Sequence, residues 1–378
     1  MKVSPPTRRE PAWAPRQRGA ALLMVLLALA LVSITLSALT LQGRRELTRL
    51  ELLQQETQAE FYARGAEIIA RRALTDAAVR HADLWWQTLA GRPLRYPTDA
   101  GELHLVVHDL RTCFNLNALG GSQAALAQQQ LRYWVATYAS ERLAGMTPDT
   151  FVARLADWID PDNIARVGGM DGADYARLDP PRTSADTWLR DPSEINWLAP
   201  LDSRRAGRFD ELCTLPDDGP WRLDLNALGP GDLPLLDALF VGQVDRGALA
   251  TLLRARPPGG YTDLDAVRQA LGGDAPWLER YANRLRLTPD YVALDIRIRL
   301  ADRHYDFQRL LLAEGTSAFY PRQPAARVRV LSRRSGYPSA RLDAISTDAI
   351  STSAVSTNAF STDAAGPAAD NVFTQESP

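Results

Sequence analysis

The densest set of side chains able to do chemistry is acidic. Asp157, Asp160 and Asp162 lie at spacings of three and two in A-D-W-I-D-P-D-N, and Asp171 and Asp174 follow a flexible Gly168-Gly169 pair. Closely spaced carboxylates in a loop rich in Pro and Gly, together with backbone carbonyls, are the donors that a hard cation such as Ca²⁺ takes, six to eight oxygens at a time. Mg²⁺ fits less well, because it demands a tight octahedral shell and keeps its waters. The spacing is not that of an EF-hand, whose last ligand is a Glu at the twelfth position. A solvated acidic loop with helix-capping Asp accounts for the same residues, and spacing alone favours it. The four histidines, His81, His104, His108 and His304, offer little. His104 and His108 are four apart, but in a stretch that alternates like a strand, where that spacing does not stack them as on a helix. No H-E-x-x-H, G-x-S-x-G or phosphate-cradling Gly-rich loop occurs, so no enzyme chemistry is expected. Two cysteines, Cys113 and Cys213, are too few for a thiolate zinc site or a Cys-rich scaffold.

The elements that position these residues begin with a membrane segment. Residues 20–41, AALLMVLLALALVSITLSALTL, hold 22 residues without a charge. At ~1.5 Å per residue they span about 33 Å, the thickness of a hydrocarbon core. Lys2, Arg8, Arg9, Arg16 and Arg18 precede it against Glu10 alone, which predicts a cytoplasmic leader and export of everything after residue 41. A cleaved signal peptide has a shorter apolar region of ~7–15 residues. No proline occurs between Pro15 and Pro93, and Leu47, Leu50, Leu53, Phe61, Ile68 and Ile69 continue at near-helical spacing. One continuous helix of roughly 55 residues is predicted, apolar first and amphipathic after. Export to an oxidising compartment favours a Cys113–Cys213 disulfide. With 46% hydrophobic and 23% charged residues the chain has globular composition, and a formal net charge of −2 provides no basic field for nucleic acid.

A basic leader ending in Gly, followed by a helix half in and half out of the membrane, resembles a type IV pilin-like precursor. In that class a prepilin peptidase cuts after the Gly, here between Gly19 and Ala20. Most such subunits carry Glu at the fifth mature position; here it is Met24. That carboxylate pairs with the amine of a neighbouring subunit, and a subunit lacking it suits the tip. Within this class the chain resembles the minor pseudopilin K family of bacterial type II secretion systems over roughly residues 16–335. The likeness rests on Gln17–Leu23, Phe61–Glu67 (FYARGAE, similar to "WYALGAE"), Asp109–Leu119 (DLRTCFNLNAL), Ala156–Asp162, Pro192–Ile195, Leu215-Pro216 and Leu225-Asn226, in order. Cys113 stands where the family usually has Arg, and Gly168–Tyr175 matches the family's acidic stretch loosely. The resemblance implies a tip subunit of the type II secretion pseudopilus, initiating or capping its assembly for export of folded proteins across the outer membrane. It implies other minor pseudopilins, the major pseudopilin, the prepilin peptidase and the inner-membrane assembly platform as partners, and a single-pass inner-membrane location with a periplasmic C-terminal part. It also implies structural Ca²⁺ at the acidic loop. The alternative is a minor pilin of a surface type IV pilus.

The predicted fold class is α+β: a type IV pilin-like N-terminal helix, a small antiparallel sheet and a large inserted all-helical domain. Leu103, Leu105 and Val107 alternate with polar residues, as do Leu294, Ile296, Ile298 and Leu300; Tyr305 with Phe307 and Val328 with Val330 mark two further strands. The expected divisions are a leader (1–19), the transmembrane part of the helix (20–41), a pilin-like α/β part (42–113 and 286–335), the insert (114–285) and a low-complexity tail (336–378) that reads as disordered. The tail carries four five-residue repeats, ISTDA, ISTSA, VSTNA and FSTDA. Inside the insert F-N-L-N-A-L-G at 114–120 recurs as L-D-L-N-A-L-G at 223–229, which predicts two related units. The repeated Asn reads as a cap or turn residue. A DNA-binding helical hairpin is disfavoured, because 221–287 carry eight Arg against eight acidic residues. The Trp85-Trp86 pair reads as packing or an interface patch.

Overall fold

A computed structural model describes residues 18–76, 93–143, 145–198, 209–273, 275–320 and 323–336. Most of the leader, His81, Trp85, Trp86 and the tail from 337 onward lie outside the described residues. In chain order the elements are α1 (Arg18–Thr75), β1 (Leu94–Thr98), β2 (Gly101–Asp109), β3 (Phe114–Asn115), α2 (Ala124–Trp134), α3 (Pro148–Ile159), α4 (Gly172–Tyr175), β4 (Leu212–Cys213), β5 (Leu223–Asp224), α5 (Leu233–Leu239), α6 (Arg246–Arg254), α7 (Leu264–Ala270), α8 (Pro276–Tyr281), β6 (Leu285–Arg286), β7 (Tyr291–Leu300), β8 (Arg303–Glu314) and β9 (Arg327–Ser335).

Helix α1 is continuous over 58 residues, about 87 Å at ~1.5 Å per residue. From Leu22 it is long and apolar enough to cross a membrane, with a mean hydropathy of 2.7 in its most apolar window. The hydroxyls in that half donate back along the helix, Thr35 to the Leu31 carbonyl (3.0 Å) and Thr40 to that of Leu36 (2.8 Å). Such bonds satisfy the two threonine hydroxyls without water in an apolar solvent.

The C-terminal half of α1 packs on an antiparallel sheet of order β1-β2-β7-β8-β9. Leu103, Leu105 and Val107 of β2, Leu294, Ile296 and Ile298 of β7 and Phe307 and Leu311 of β8 face the helix, as the period of two requires. On the helix the facing residues are Ala59, Ala63, Ala66, Ala70 and Leu74. The large residues that carry the helical periodicity, Leu47, Leu50, Leu53, Phe61, Ile68 and Ile69, point away and are 46–65% exposed. Small side chains toward the sheet let the two backbones approach closely.

Everything between β2 and β7 leaves and returns at one place, because the two strands are neighbours with Asp109 opposite Val292. Among the described residues this insert has its own apolar core, from Phe114 to Leu287, distinct from the helix–sheet core. It is not purely helical. Each copy of the repeat opens in an extended pair, β3 with β4 and β5 with β6, both parallel. The side chains explain the extension. Asn115 Oδ1 accepts from the Asn117 amide at 3.2 Å, and Asp224 Oδ1 from the Asn226 amide at 2.9 Å, starting a turn in each copy.

The turn is started by Asn115 and Asp224, so Asn117 and Asn226, expected as cap or turn residues, take a different role. Asn117 Nδ2 donates to the carbonyls of Leu189 (3.0 Å) and Leu215 (2.9 Å), and its Oδ1 accepts from the Leu189 amide (2.8 Å). Asn226 repeats the pattern with Tyr261 and Leu287: 2.9 and 3.0 Å to the carbonyls, 2.6 Å from the Tyr261 amide. Each is a buried staple joining two distant segments. Cys113 and Cys213 are joined by a disulfide with Cα atoms 5.9 Å apart, beside the β3–β4 pair.

At the seam between sheet and insert, Asp109 and Asp224 are almost wholly buried, 2% and 1% exposed. Each has its Oδ1 engaged, Asp109 with the Arg111 amide (2.7 Å), while each Oδ2 meets no protein donor. The two carboxyls lie within hydrogen-bonding reach of each other. Burial pushes both up from the ordinary carboxylate range, and the Asp224 charge pushes Asp109 further. Both effects favour the protonated form of Asp109 beside Asp224.

Two expectations follow from these contacts. Asn117→Ala removes three buried hydrogen bonds and orphans their backbone partners, so equilibrium denaturation should show a loss of about 3 kcal/mol. A loss below about 1 kcal/mol contradicts the staple. Asp109→Asn can donate permanently to Asp224 and has no proton to lose. A carboxyl raised in the folded state stabilises most below its unfolded pKa of about 3.9 and loses that contribution as pH rises through its folded value. The stability of Asp109→Asn relative to wild type should therefore climb as pH rises above the unfolded value of about 3.9. A difference that stays flat as pH rises is incompatible with a raised Asp109 carboxyl.

Candidate functional site

Polar clamps on both flanks of the alanine stripe lock α1 to the sheet. Glu67 makes a two-pronged ion pair with Arg333 of β9, both contacts at 2.8 Å, and lies 3.5 Å from Arg309 Nε of β8. The Arg333 hydrogen bonds hold the Glu67 carboxyl below its ordinary value against the opposing effect of burial. Arg309, 1% exposed, also reaches Glu60 at 2.9 Å. Gln55 accepts from the Tyr305 hydroxyl at 3.0 Å. The F-Y-A-R-G-A-E stretch is thus a docking motif: Ala63 and Ala66 touch the sheet, Glu67 fixes the register, and Phe61 and Arg64 face outward. Gly19 and Ala20 lie in the first turn of α1, and Met24 is 71% exposed on a bare apolar stem.

The acidic loop follows α3, which Thr147 caps. The structure divides the five carboxylates into two pairs and a single residue. Asp157 is fully buried. Its Oδ1 accepts from Arg166 Nη1 (2.5 Å) and its Oδ2 from the Arg166 amide (3.1 Å). The same guanidinium nitrogen bonds Asp160 Oδ2. Burial raises the Asp157 carboxyl, opposed by the Arg166 bonds. Asp171 and Asp174 form a capping box at the start of α4, and Asp174 also meets Arg177 at 2.9 Å. Asp162 belongs to neither group and caps the Ile164 amide at 2.8 Å. Among the described residues no three His, Cys, Asp or Glu side chains converge as a metal shell. Two enclosed oxygens nevertheless lack any donor, Asp160 Oδ1 and Asp171 Oδ2, and these fit a hard cation in chemistry. Arg166 supplies the positive charge that Asp157 and Asp160 require.

His104 and His108 do not meet. His104 pairs with Glu102 at 2.9 Å and His108 with Asp295 at 2.8 Å. At the seam, Arg111 Nε and Nη2 each reach Asp290 at 2.8 Å, and Nη2 also reaches Asp217 at 2.6 Å. Sequence reasoning missed this role of Arg111, the alanine stripe and the Arg166 bridge. The stripe had a readable signal, Ala at positions 59, 63, 66 and 70 in helical spacing. The seam had none, since Arg111 and Asp290 are 179 residues apart.

Residues 112–216 match the family described as type II secretion system (T2SS), protein K. The type II secretion system protein K of Pectobacterium carotovorum subsp. carotovorum is 30% identical over 312 residues, covering 79% of this chain and 94% of that protein. The protein of the same name from Klebsiella pneumoniae is 30% identical over 292 residues, covering 72% and 87%. A chain from the crystal structure of the GspK–GspI–GspJ complex of the enterotoxigenic Escherichia coli type 2 secretion system superposes with a TM-score of 0.60 at 23% identity. It matches over its whole length and 77% of this chain. The fold and the likeness to these relatives agree: the chain belongs to the type II secretion system protein K family and is a minor pseudopilin of type II secretion.

Proposed function

We propose that this subunit sits at the tip of the pseudopilus and initiates or caps its assembly, without catalytic chemistry of its own. The observation that carries this reading is the outer face of α1. From Leu22 to Ile69 its large apolar side chains stay exposed while a separate alanine face is used for the sheet. An apolar face of that length needs a cover, lipid for the first part and neighbouring helices for the rest. The proposed topology is single-pass in the inner membrane, leader cytoplasmic and C-terminal part periplasmic, after the prepilin peptidase cuts between Gly19 and Ala20. The GspK chain was solved with GspI and GspJ. By that likeness the neighbours here are the two corresponding minor pseudopilins, with the major pseudopilin and the assembly platform below. Met24 supports the topmost position, since a carboxylate there needs a partner amine and is costly unpaired in an apolar bundle.

Deleting the gene should retain exported proteins in the periplasm, and wild-type copies should restore export. Met24→Glu should be cleaved normally and complement poorly. Unchanged secretion with lost surface motility in the deletion strain would assign the chain to a surface pilus instead. Full export from Met24→Glu would show that the fifth mature position is not read this way.

We further propose that the acidic loop takes structural Ca²⁺, with Asp160 and Asp171 supplying the oxygens that lack donors and Asp157, Asp162 and Asp174 completing the carboxylate set. The ion supplies charge neutralisation to a loop whose only internal cation between Asp157 and Asp160 is Arg166. Binding to the folded state alone raises stability by about 2.7 kcal/mol at a hundredfold excess over Kd. The full chain in neutral detergent should melt higher with calcium than with EDTA, and Asp160→Ala combined with Asp162→Ala should abolish the difference. Identical melting with and without calcium returns the loop to a solvated, Arg-bridged role.

A further inference from the structure

The seam between the sheet and the insert opens outward as a cleft of about 240 Å³ whose polar lining is Arg111, Asp217, Arg222, Arg286, Asp290 and Thr316. Most of these groups are mutually satisfied. Arg111 spends its donors on Asp290 and Asp217. Arg286 bonds the Thr288 carbonyl (3.1 Å) and the Thr316 hydroxyl (3.3 Å) and lies 3.4 Å from Asp290. Behind them lie two buried carboxyls, Asp224, which interacts with Arg286, and Asp109.

Arg222 is the exception. It is half-buried, its Nε is enclosed without a hydrogen-bond partner, and among the described residues no carboxylate forms a salt bridge with it. It stands instead beside two like charges, Arg111 and Arg286. Burial, then those two neighbours, push its pKa down, with Asp217 and Asp290 offsetting only part. A guanidinium carries five donors in a planar fork suited to carboxylate or phosphate. Burying one without a partner, against two cations, is unfavourable in the isolated chain. The missing element is an anion, and the cleft has room for one.

We propose that this cleft binds a single oxyanion group, a carboxylate or a phosphate, with Arg222 as its principal donor and the Arg286 and Arg111 charges behind it. A carboxylate could come from an acidic side chain of a neighbouring subunit, a phosphate from solution; the recognising chemistry is the same. The inference does not rest on tip placement or on calcium.

The test is calorimetric titration of the full chain in neutral-detergent micelles with inorganic phosphate and, separately, with succinate, each against chloride at matched ionic strength. One saturable site is expected in the wild type for at least one of the two. Tighter succinate binding identifies a carboxylate ligand, tighter phosphate binding a phosphate. Arg222→Gln should weaken binding roughly ten- to a hundredfold, the loss expected for a charge-assisted pair. Arg222→Lys, which keeps the charge but loses the fork, should fall between. Without anion, Arg222→Gln should melt at or above the wild-type temperature, because it relieves repulsion. Heats indistinguishable from chloride, or equal binding by Arg222→Gln, overturn the proposal. So does an Arg222→Gln chain that melts lower than wild type, since that would reveal an internal partner for Arg222.

Discussion

The antiparallel register of β2 on β7 is the constraint on which the rest of the molecule depends. Asp109 pairs with Val292, so a segment long enough to be a domain starts and ends one strand spacing apart, about 4.8 Å. What would be a hairpin turn in a smaller pilin-like sheet becomes the root of the insert. The two polypeptide crossings bring charge into a confined volume: Asp109 and Arg111 on the outgoing chain, Arg286 and Asp290 on the returning one, with Asp217 and Asp224 from the insert. Buried charges of this kind persist only when paired or neutralised. Arg111 meets both Asp290 and Asp217, and burial favours the neutral form of Asp109. The network therefore ties the insert to the sheet while the two apolar cores remain separate.

The helix obeys a second constraint, that one element serves two surfaces. Alanine contributes little apolar area, so the contact between α1 and the sheet gains less from burial than a leucine interface would. The polar clamps supply what the alanines do not, a unique axial position. Arg309 is the critical member, because it is almost fully buried and leans on both Glu60 and Glu67. The Glu67–Arg333 pair contributes less than its geometry suggests, since Arg333 is about half exposed and solvent screens it. Keeping large apolar residues off the sheet leaves them available outside, which is what a helix that must bundle with others requires.

What was legible in the sequence was local. Absence of proline over residues 16–92 announced the long helix, and alternation at 103–107 and 294–300 announced two strands, which the sheet pairs as neighbours. The repeat at 114 and 223 announced two related units, and their hydrogen bonding is matched residue for residue at Asn117 and Asn226. What was hidden depends on partners far away in sequence. The Asn staples bind carbonyls up to 98 residues distant, and no side-chain periodicity encodes a backbone acceptor. β1 was missed because it is a short edge strand containing Pro97, whose composition reads as a turn. The five carboxylates looked like one cluster because spacing counts acidic residues, whereas the fold divides them by which cation or amide lies nearest. Arg166, only six residues from Asp160, was the visible clue.

The family motifs acquire a common physical meaning from this arrangement. F-Y-A-R-G-A-E docks the stem, and D-L-R-T-C-F-N-L-N-A-L makes the crossing from sheet to insert. P-S-E-I continues the capping box of Asp191, whose other carboxylate oxygen reaches Arg334 of β9 at 2.6 Å. L-P delivers the Leu215 carbonyl to Asn117 and that of Pro216 to the Tyr291 hydroxyl. These stretches sit at joints rather than on the outer surface. Cys113, where the family pattern has Arg, adds a covalent tie at the same joint. In the loop-entropy description, a closure of about 100 residues restricts the unfolded chain by roughly 4–5 kcal/mol. Carboxyls, guanidiniums, amide staples and a disulfide thus converge on one joint and fix the insert to the sheet without using the outer surface of the insert.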